Sequence, residues 1–322
     1  MNGYEGFERR APFPYFGGKR KIVPMVWERF GKVKQYIEPF CGSAAMLLGN
    51  PHPASLEVIG DASRHIANFW RAVKFQPETV ARWADYPVSH LDLAARHRWL
   101  TCPHRVAKLD SALADPEWHG DAHVAGWWIW GQCAWIGSGW CEKVVGHVGN
   151  AGQGIHSKIP HVGNAGQGIH SKIPHVGDAG ANSPRGTHIA RWMRMLSDRL
   201  EDARIIHGSW DRCLNMHYGD KGDNAAIFFD PPYLKYEKLY AHQEPVAAAV
   251  AKWCAGRPDV KIALCGHVGD YDEILKGWDF VRWSRGRLTY GGSKTTDDEV
   301  VMFSPACKRR LKSIRDLPKR NS

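Results

Sequence analysis

An acidic residue, two prolines and an aromatic residue follow an apolar run in the segment FFDPPY at residues 228–233. Because proline lacks a backbone N–H, the Pro231 carbonyl and the Asp230 carboxylate can both accept hydrogen bonds from one exocyclic amino group. Accepting both hydrogens of an aryl amine moves its nitrogen toward tetrahedral geometry and frees the lone pair to attack a methyl sulfonium. Tyr233 offers a ring face for stacking. The segment favours methyl transfer to a planar amine, with an ordinary turn at a strand end as the alternative.

The elements that must position this segment begin near the N-terminus. Gln35–Pro39 and Leu56–Gly60 are short apolar runs that predict strands. Ala44–Gly49 follows a glycine turn between them and predicts the start of a helix, which makes a βαβ unit. Asp61 ends the second strand, 19 residues after Gly42, where an acid can accept hydrogen bonds from a ribose.

Further strands and helices are predicted in the second half of the chain. Apolar residues from Ile189 to Leu200 recur at helical spacing, and Ala247–Trp253 predicts another helix. Five later strands and the two earlier ones make seven predicted strands. Seven strands alternating with helices indicate an α/β fold with a doubly wound, Rossmann-like sheet. The later strands are predicted at Arg204–His207, Ala225–Phe229, Val260–Leu264, Phe280–Trp283 and Val300–Phe303.

An insertion of helical fragments and loops interrupts this pattern at residues 71–185. It divides the predicted catalytic domain into residues 1–70 and 186–307, and a basic tail follows at 308–322. Five tryptophans between residues 127 and 140 predict either the core of a helix or platforms on which bases stack.

A glycine-rich sequence of 14 residues begins at His147, recurs identically at His161 and starts again at His175. Glycine and proline oppose regular packing, so the repeat predicts a long loop at about 147–180. Such a loop could lie along phosphates, and a disordered expansion made by sequence duplication is the alternative. The candidate DNA contacts within the insertion are Trp135, Trp140, Lys158 and Lys172.

Positive charge is concentrated at the two ends of the chain. The net charge is +10, from 43 basic and 33 acidic residues. Residues 9–34 contribute +7 and residues 308–320 contribute +6, which leaves −3 for the remainder. Concentrated basic clusters favour a nucleic-acid partner, since Lys and Arg contacts to phosphate supply affinity without sequence choice. Lys308, Arg309 and Arg310 open the basic tail and are candidate phosphate contacts.

Several other classes of protein do not fit the sequence. No apolar run approaches the roughly 18 residues of a membrane span, and Met1–Arg10 is polar, so a cytoplasmic protein is expected. The eight cysteines contain no Cys-x-x-Cys pair, and the repeated histidines lack helical metal-ligand spacing, so no metal is expected. Neither Cys41 nor Ser43 has the surroundings of a covalent nucleophile.

Three segments taken together resemble the DNA adenine N6-methyltransferases of the alpha group: PFPYFGGK at 12–19, YIEPFCGSAA at 36–45 and DPPY at 230–233. The resemblance implies a Rossmann-like sheet that binds S-adenosylmethionine (SAM), a target-recognition insertion, and double-stranded DNA from which an adenine is flipped out. It implies that Lys19 lies near the cofactor or DNA. The implied catalytic residues are Asp230, Pro231, Pro232 and Tyr233. The implied cofactor-binding residues are Tyr15, Phe16, Gly17, Gly18, Lys19, Glu38, Pro39, Phe40, Gly42, Ser43, Asp61, Ser209, Trp210 and Asp230.

Two positions depart from the pattern of this family. Ala44 occupies the place of a glycine, and an alanine should fit there unless the backbone needs a positive φ. Ser209 stands where the family often has an acid that reads the SAM adenine, although Trp210 can still stack on that ring. Residues 287–304 are a weaker match to the family's closing hairpin, with Glu299 before an apolar strand.

Other functions stay open at this point. The same loop chemistry would serve a methyltransferase acting on cytosine N4, RNA or a protein glutamine. A DNA-binding protein that keeps the scaffold without catalysis is a second alternative. A nicotinamide dehydrogenase is remote, because no Gly-x-Gly-x-x-Gly follows Gln35–Pro39. The residues favour no particular target sequence, oligomeric state or partner restriction nuclease.

Overall fold

The structure is a computed structural model that describes residues 11–13, 19–87, 89–134, 140–141, 185–215, 224–232, 246–283 and 299–307. Its strands are β1 Gln35–Glu38, β2 Leu56–Asp61, β3 Ala203–His207, β4 Ala225–Phe229, β5 Lys261–His267, β6 Asp279–Trp283 and β7 Glu299–Phe303. Its helices are α1 Val23–Phe30, α2 Ala45–Leu48, α3 Arg64–Phe75, α4 Pro77–Ala84, α5 His90–Leu100, α6 Pro103–Leu113, α7 Ala122–Ala134, α8 Arg185–Arg199, α9 Trp210–Asn215 and α10 Val246–Ala255.

The seven strands form one sheet in the order β3-β2-β1-β4-β5-β7-β6. β1 pairs in parallel with β2 and β4, and β4 pairs in parallel with β5. β7 runs antiparallel to both β5 and β6. Parallel strands covered on both faces are apolar along their whole length, as in β4, where all five residues are buried. The predicted α/β, Rossmann-like fold with seven strands is confirmed.

Contacts within the chain define two compact units. The helical unit comprises Met1–Gly18 and Asp61–Gly208, and the sheet unit comprises Lys19–Gly60 and Ser209–Ser322. Residue 71, the predicted start of the insertion, lies inside α3, and the helical unit includes the residues from Asp61 onward. No helix in the described ranges is long and apolar enough to span a membrane.

Aromatic side chains from separate segments form the core of the helical unit. The ring of Phe13 meets Phe69 and Trp128 edge to face, with centroids 5.4 and 5.0 Å apart. Arg71 is buried nearby, and its guanidinium donates to the carbonyls of Ile205 and Asp115 at 3.2 and 2.8 Å. These bonds satisfy a charged group that burial would otherwise destabilise.

The tryptophan-rich helix α7 is buried on nearly all sides. Trp128 and Trp140 are 3% and 4% exposed, and the Trp140 indole N–H donates to the Trp128 carbonyl at 2.9 Å. Gly131 makes room for this ring, because a Cβ at Gly131 would overlap it. A buried ring with a satisfied N–H is not available to a base. The structure therefore favours the core role for Trp140 over the base-stacking role.

We expect Gly131→Ala to destabilise the protein although alanine is the better helix former by about 1 kcal/mol. Overpacking at the Trp140 ring costs about 1–3 kcal/mol, and displacement of the ring breaks its hydrogen bond to Trp128. Urea unfolding should show a net loss of about 1 kcal/mol or more. Gly256→Ala is the control, since its nearest neighbour beyond the adjacent residues is 3.7 Å away. Equal stability of Gly131→Ala and the wild type would contradict this packing account.

Candidate active site

The predicted methyl-transfer segment lies at the carboxyl edge of the sheet unit. β4 ends at Phe229, and Asp230 and Pro231 follow it directly. The neighbouring parallel strand β1 ends at Glu38, with Ile37 in register with Ile227. Because parallel strands end at the same edge, residues 230–232 and the turn after β1 are brought to one place.

Lys19 forms a buried ion pair with Asp230. Its Nζ is 2.9 Å from Asp230 Oδ1 and 3.8 Å from Glu299 Oε2. Lys19 is 4% exposed, and its ammonium also lies 5.6 Å from the centre of the Trp283 ring. Lys19 is therefore buried and paired beside Asp230, and its predicted position near the cofactor or DNA stays a prediction.

The charges around Lys19 favour its protonated form. Burial acts to lower the pKa of Lys19, but the negative groups around it, Asp230 foremost, outweigh that effect and raise the pKa. An ammonium held this close favours the ionised form of Asp230 in return. Asp230 therefore carries a carboxylate that accepts hydrogen bonds, which is what the predicted chemistry requires.

The turn between β1 and α2 has a left-handed backbone at two positions. Gly42 has φ 46° and Ala44 has φ 51°. Ala44 is the departure from the family pattern that was expected to fit only without a positive φ. The structure shows that a positive φ is required, so the alanine carries about 1–2 kcal/mol of backbone strain that a glycine would not.

Glu38 supports this same turn from within the sheet unit. Its Oε2 accepts hydrogen bonds from the Tyr36 hydroxyl and the Leu47 N–H, both at 3.0 Å. Glu38 is 2% exposed, and burial raises its pKa to about 8 although both hydrogen bonds oppose the shift. The neutral carboxyl is therefore favoured at pH 7. Through its two hydrogen bonds, Glu38 joins β1 to α2 beside the site.

An aromatic wall stands beside Asp230. The ring of Phe229 lies 6.5 Å from Phe40, 6.1 Å from Trp210 and 5.8 Å from Trp253, measured between centroids. Trp210 is half-buried and Ser209 before it is exposed. Phe229, the residue before Asp230, is thus buried among aromatic rings, of which Phe40, Trp210 and Trp253 are partly exposed.

Asp61 is the last residue of β2 and is half-buried. Its Oδ1 accepts a hydrogen bond from the Ser63 N–H at 2.8 Å, and its carbonyl accepts one from the Gly208 N–H at 3.1 Å. The predicted ribose-binding acid therefore stands at a strand end with its side chain oriented by the following turn.

The remaining site residues divide by burial. Pro39, Ser43 and Pro231 are buried, and Pro232 is exposed. Sequence reasoning assigned no role to Glu299, whose only signal was an acid preceding an apolar strand. It also missed Trp253. The predicted residues that lie outside the described ranges are Tyr15, Phe16, Gly17, Gly18, Trp135, Lys158, Lys172, Tyr233, Lys308, Arg309 and Arg310.

No group of three or more metal-ligating side chains occurs within the residues that the structure describes. The site instead combines a carboxylate, a buried ammonium and aromatic rings. Such groups act by positioning a substrate and by electrostatics.

The mixed seven-stranded sheet with its helices is an α/β fold consistent with a Rossmann-like methyltransferase. Residues 15–87 match the sequence model of the D12 class N6 adenine-specific DNA methyltransferases. The matched segment contains both the Lys19 region and the β1–α2 turn. This match confirms the predicted resemblance, and the protein is an enzyme of the adenine-specific DNA methyltransferase type. Comparison with curated proteins finds no match to the chain.

We expect Ala44→Gly to raise the free energy of unfolding by about 0.5–1 kcal/mol. Glycine removes the strain of the left-handed backbone but loses more entropy on folding, so the gain is smaller than the strain. Ala45→Gly is the matched control: Ala45 is the first helical residue of α2, where glycine should destabilise by about 0.5–1 kcal/mol. Urea unfolding measures both. An Ala44→Gly variant less stable than the wild type would show that the positive φ is not a strain.

Glu38 should make stability depend on pH. Its pKa is about 8 in the folded protein and about 4.3 in an unfolded chain. Its contribution is therefore fully present below pH about 4.3 and is lost as the pH rises through the folded value. From about pH 5 to 8 the unfolding free energy of the wild type should fall relative to Glu38→Gln, by at most about 1.4 kcal/mol per pH unit.

Urea unfolding at four pH values between 5 and 8.5 measures this difference. Glu273→Gln removes an exposed carboxylate and is the control, with a curve expected to follow the wild type. Parallel curves for Glu38→Gln and the wild type would show that Glu38 is already ionised when buried.

Proposed function

We propose that the protein transfers a methyl group from SAM to N6 of an adenine that is flipped out of double-stranded DNA. The observation that carries this proposal is the Lys19–Asp230 ion pair at the carboxyl end of β4, directly before Pro231. The pair holds an ionised acceptor next to a residue that cannot donate a backbone hydrogen bond. Such a site fits an exocyclic amino group, which presents two hydrogens.

Asp230 and Pro231 supply the two acceptors. The Asp230 side chain is 21% exposed, so it reaches the surface of the site while Lys19 holds the carboxylate through Oδ1. Pro231 is buried, and its carbonyl is the second acceptor. Hydrogen bonds to both oxygens would draw the amino nitrogen toward tetrahedral geometry. Positioning of this kind is a main source of rate enhancement when no covalent intermediate forms.

The residues around Asp230 fit SAM as the methyl donor. The left-handed turn at Gly42 leaves no side chain at a position where backbone and ligand can approach closely. The half-buried Trp210 and Phe40 offer ring surface to an adenosyl group. When bound, SAM supplies a methyl sulfonium, the electrophile of the reaction.

Duplex DNA is the proposed substrate and partner, and the cytoplasm the proposed compartment. Flipping the adenine costs a few kcal/mol, which contacts to the DNA backbone must supply. The basic ends of the chain and the lysines of the repeat suit that role, because contacts to phosphate add affinity without sequence choice. Tyr233 is proposed to stack on the flipped base.

Methylation is tested with unmethylated duplex DNA and SAM that carries a labelled methyl group. The DNA is digested to nucleosides and analysed by mass spectrometry. Label on N6-methyladenine would support the proposal. Label on N4-methylcytosine would overturn the choice of base, and label on RNA or protein in parallel incubations would overturn the substrate. Absence of label from all of them would favour a non-catalytic DNA-binding protein.

We expect Asp230→Ala to reduce methyl transfer by about 10²–10³-fold or more, because it removes an acceptor that acts on the reacting amine. Binding of DNA should be retained. Asp272→Ala, which removes an exposed aspartate of the same unit, is the matched control and should retain full activity. More than a trace of activity in folded Asp230→Ala protein would remove Asp230 from the mechanism.

A further inference from the structure

A cavity of about 180 Å³ lies in the helical unit, between the start of α3 and the end of α7. Its open side is formed by Ala62, Ser63, Arg64 and Gln132, all of which are partly or fully exposed. The inner wall is formed by buried residues. They are His65, Ile66, Trp128, Trp140 and Cys141.

The first turn of α3 directs backbone donors toward this cavity. The first hydrogen bond of the helix runs from the Ala67 N–H to the Ser63 carbonyl. The N–H groups of Arg64, His65 and Ile66 therefore have no acceptor within the helix. Ser63 occupies the N-cap position, but its side chain makes no capping hydrogen bond. The helix dipole adds partial positive charge at the same end.

His65 lines the cavity and carries a second, independent signal. It is 4% exposed, and among the residues that the structure describes neither ring nitrogen has a hydrogen-bond partner. Its ring lies parallel to Trp128, with centroids 6.5 Å apart. A buried imidazole without a partner is unfavourable unless a ligand or water meets it. Burial lowers the pKa of His65 to about 4, so the neutral ring keeps one N–H donor.

An ion-paired arginine lies at the mouth of the cavity. The Arg64 guanidinium is held by Asp110, with Nε 2.6 Å from Oδ1, and its side chain is 38% exposed. Burial lowers the pKa of His207 in the same unit; the hydrogen bond with the Ala62 backbone and the charge of Asp110 oppose that shift, and the charges of Arg64 and Arg71 add to it. The Arg64 guanidinium at the mouth offers N–H donors to an anionic ligand.

We propose that the start of α3 binds a phosphate group of the DNA substrate, with backbone N–H groups of Arg64, His65 and Ile66 and the side chains of His65, Arg64 and Gln132 as donors. A phosphate fits better than a base, because Trp128 and Trp140 are too buried to offer a ring face. Backbone N–H groups at helix N-termini are common binding sites for phosphate and other oxyanions. This inference rests on the proposed function, since that function supplies the DNA.

Ser63→Asp tests the inference by placing a carboxylate on the same N–H groups. An aspartate at the N-cap accepts hydrogen bonds from the first turn, so the helix should keep or gain stability while the phosphate is displaced. The variant should bind unmethylated duplex more weakly than the wild type. The slope of log K against log salt should fall in magnitude by about 0.9, the value for one phosphate contact.

Ser89→Asp is the matched control. Ser89 is the N-cap of α5 in the same unit, and its side chain already accepts a hydrogen bond from the Asp92 N–H. The substitution adds the same charge without occupying the cavity, and the wild-type slope is expected. Gln132→Glu places a charge at the mouth of the cavity without altering α3 and should weaken binding as Ser63→Asp does.

A titration with inorganic phosphate, monitored by NMR of the backbone amides of residues 64–66, distinguishes a site for free phosphate from a site for DNA phosphate. Shifts in the wild type that are absent from Ser63→Asp, together with the reduced salt slope, support the inference. Amide shifts with an unchanged slope would identify a site for free phosphate and overturn the DNA source. A wild-type salt slope in Ser63→Asp, together with no amide shifts in the wild-type protein on addition of phosphate, would overturn the site altogether. Wild-type protein that binds no duplex DNA would overturn the proposed function as well.

Discussion

A lysine ammonium buried away from water is unstable unless anionic groups surround it, and this constraint organises the sheet unit. Lys19 meets Asp230 at 2.9 Å and Glu299 at 3.8 Å, so segments far apart in the chain converge on one charge. Loss of Asp230 removes the nearer of these two anionic neighbours of the buried ammonium. In the proposed mechanism the same contact holds the carboxylate that accepts a hydrogen bond from the substrate amine. Stability of the sheet edge and the proposed chemistry therefore involve one interaction.

The parallel sheet provides the place where this interaction can form. β1 and β4 end side by side, so the turn after Glu38 and the segment that begins at Asp230 face the same edge. The antiparallel strand β7 brings Glu299 to that neighbourhood from the opposite direction, with Glu299 in register with His267 of β5. An acid at the start of a strand thereby joins residues at the ends of others.

Two features of the β1–α2 turn show a site that is not optimised for stability. Ala44 adopts a left-handed backbone that favours glycine, and Glu38 buries a carboxyl whose pKa burial raises to about 8. Both are compatible with a folded protein because the surrounding strands and helices are closely packed. Strain held in this way often marks the part of a protein that approaches a ligand.

Local patterns in the sequence determined the seven strands, the helices after residue 185 and the DPPY segment. A buried strand is apolar along its length and a helix repeats every 3.6 residues, so these signals are contained in short windows. The boundary at residue 71 stays a prediction, and a continuous helix, α3, runs through that residue. Only the tertiary structure decided that Lys19 pairs with Asp230, that Ala44 needs a positive φ, and that Trp140 is core. Each depends on residues brought together from distant parts of the chain, and no local pattern records which of them meet.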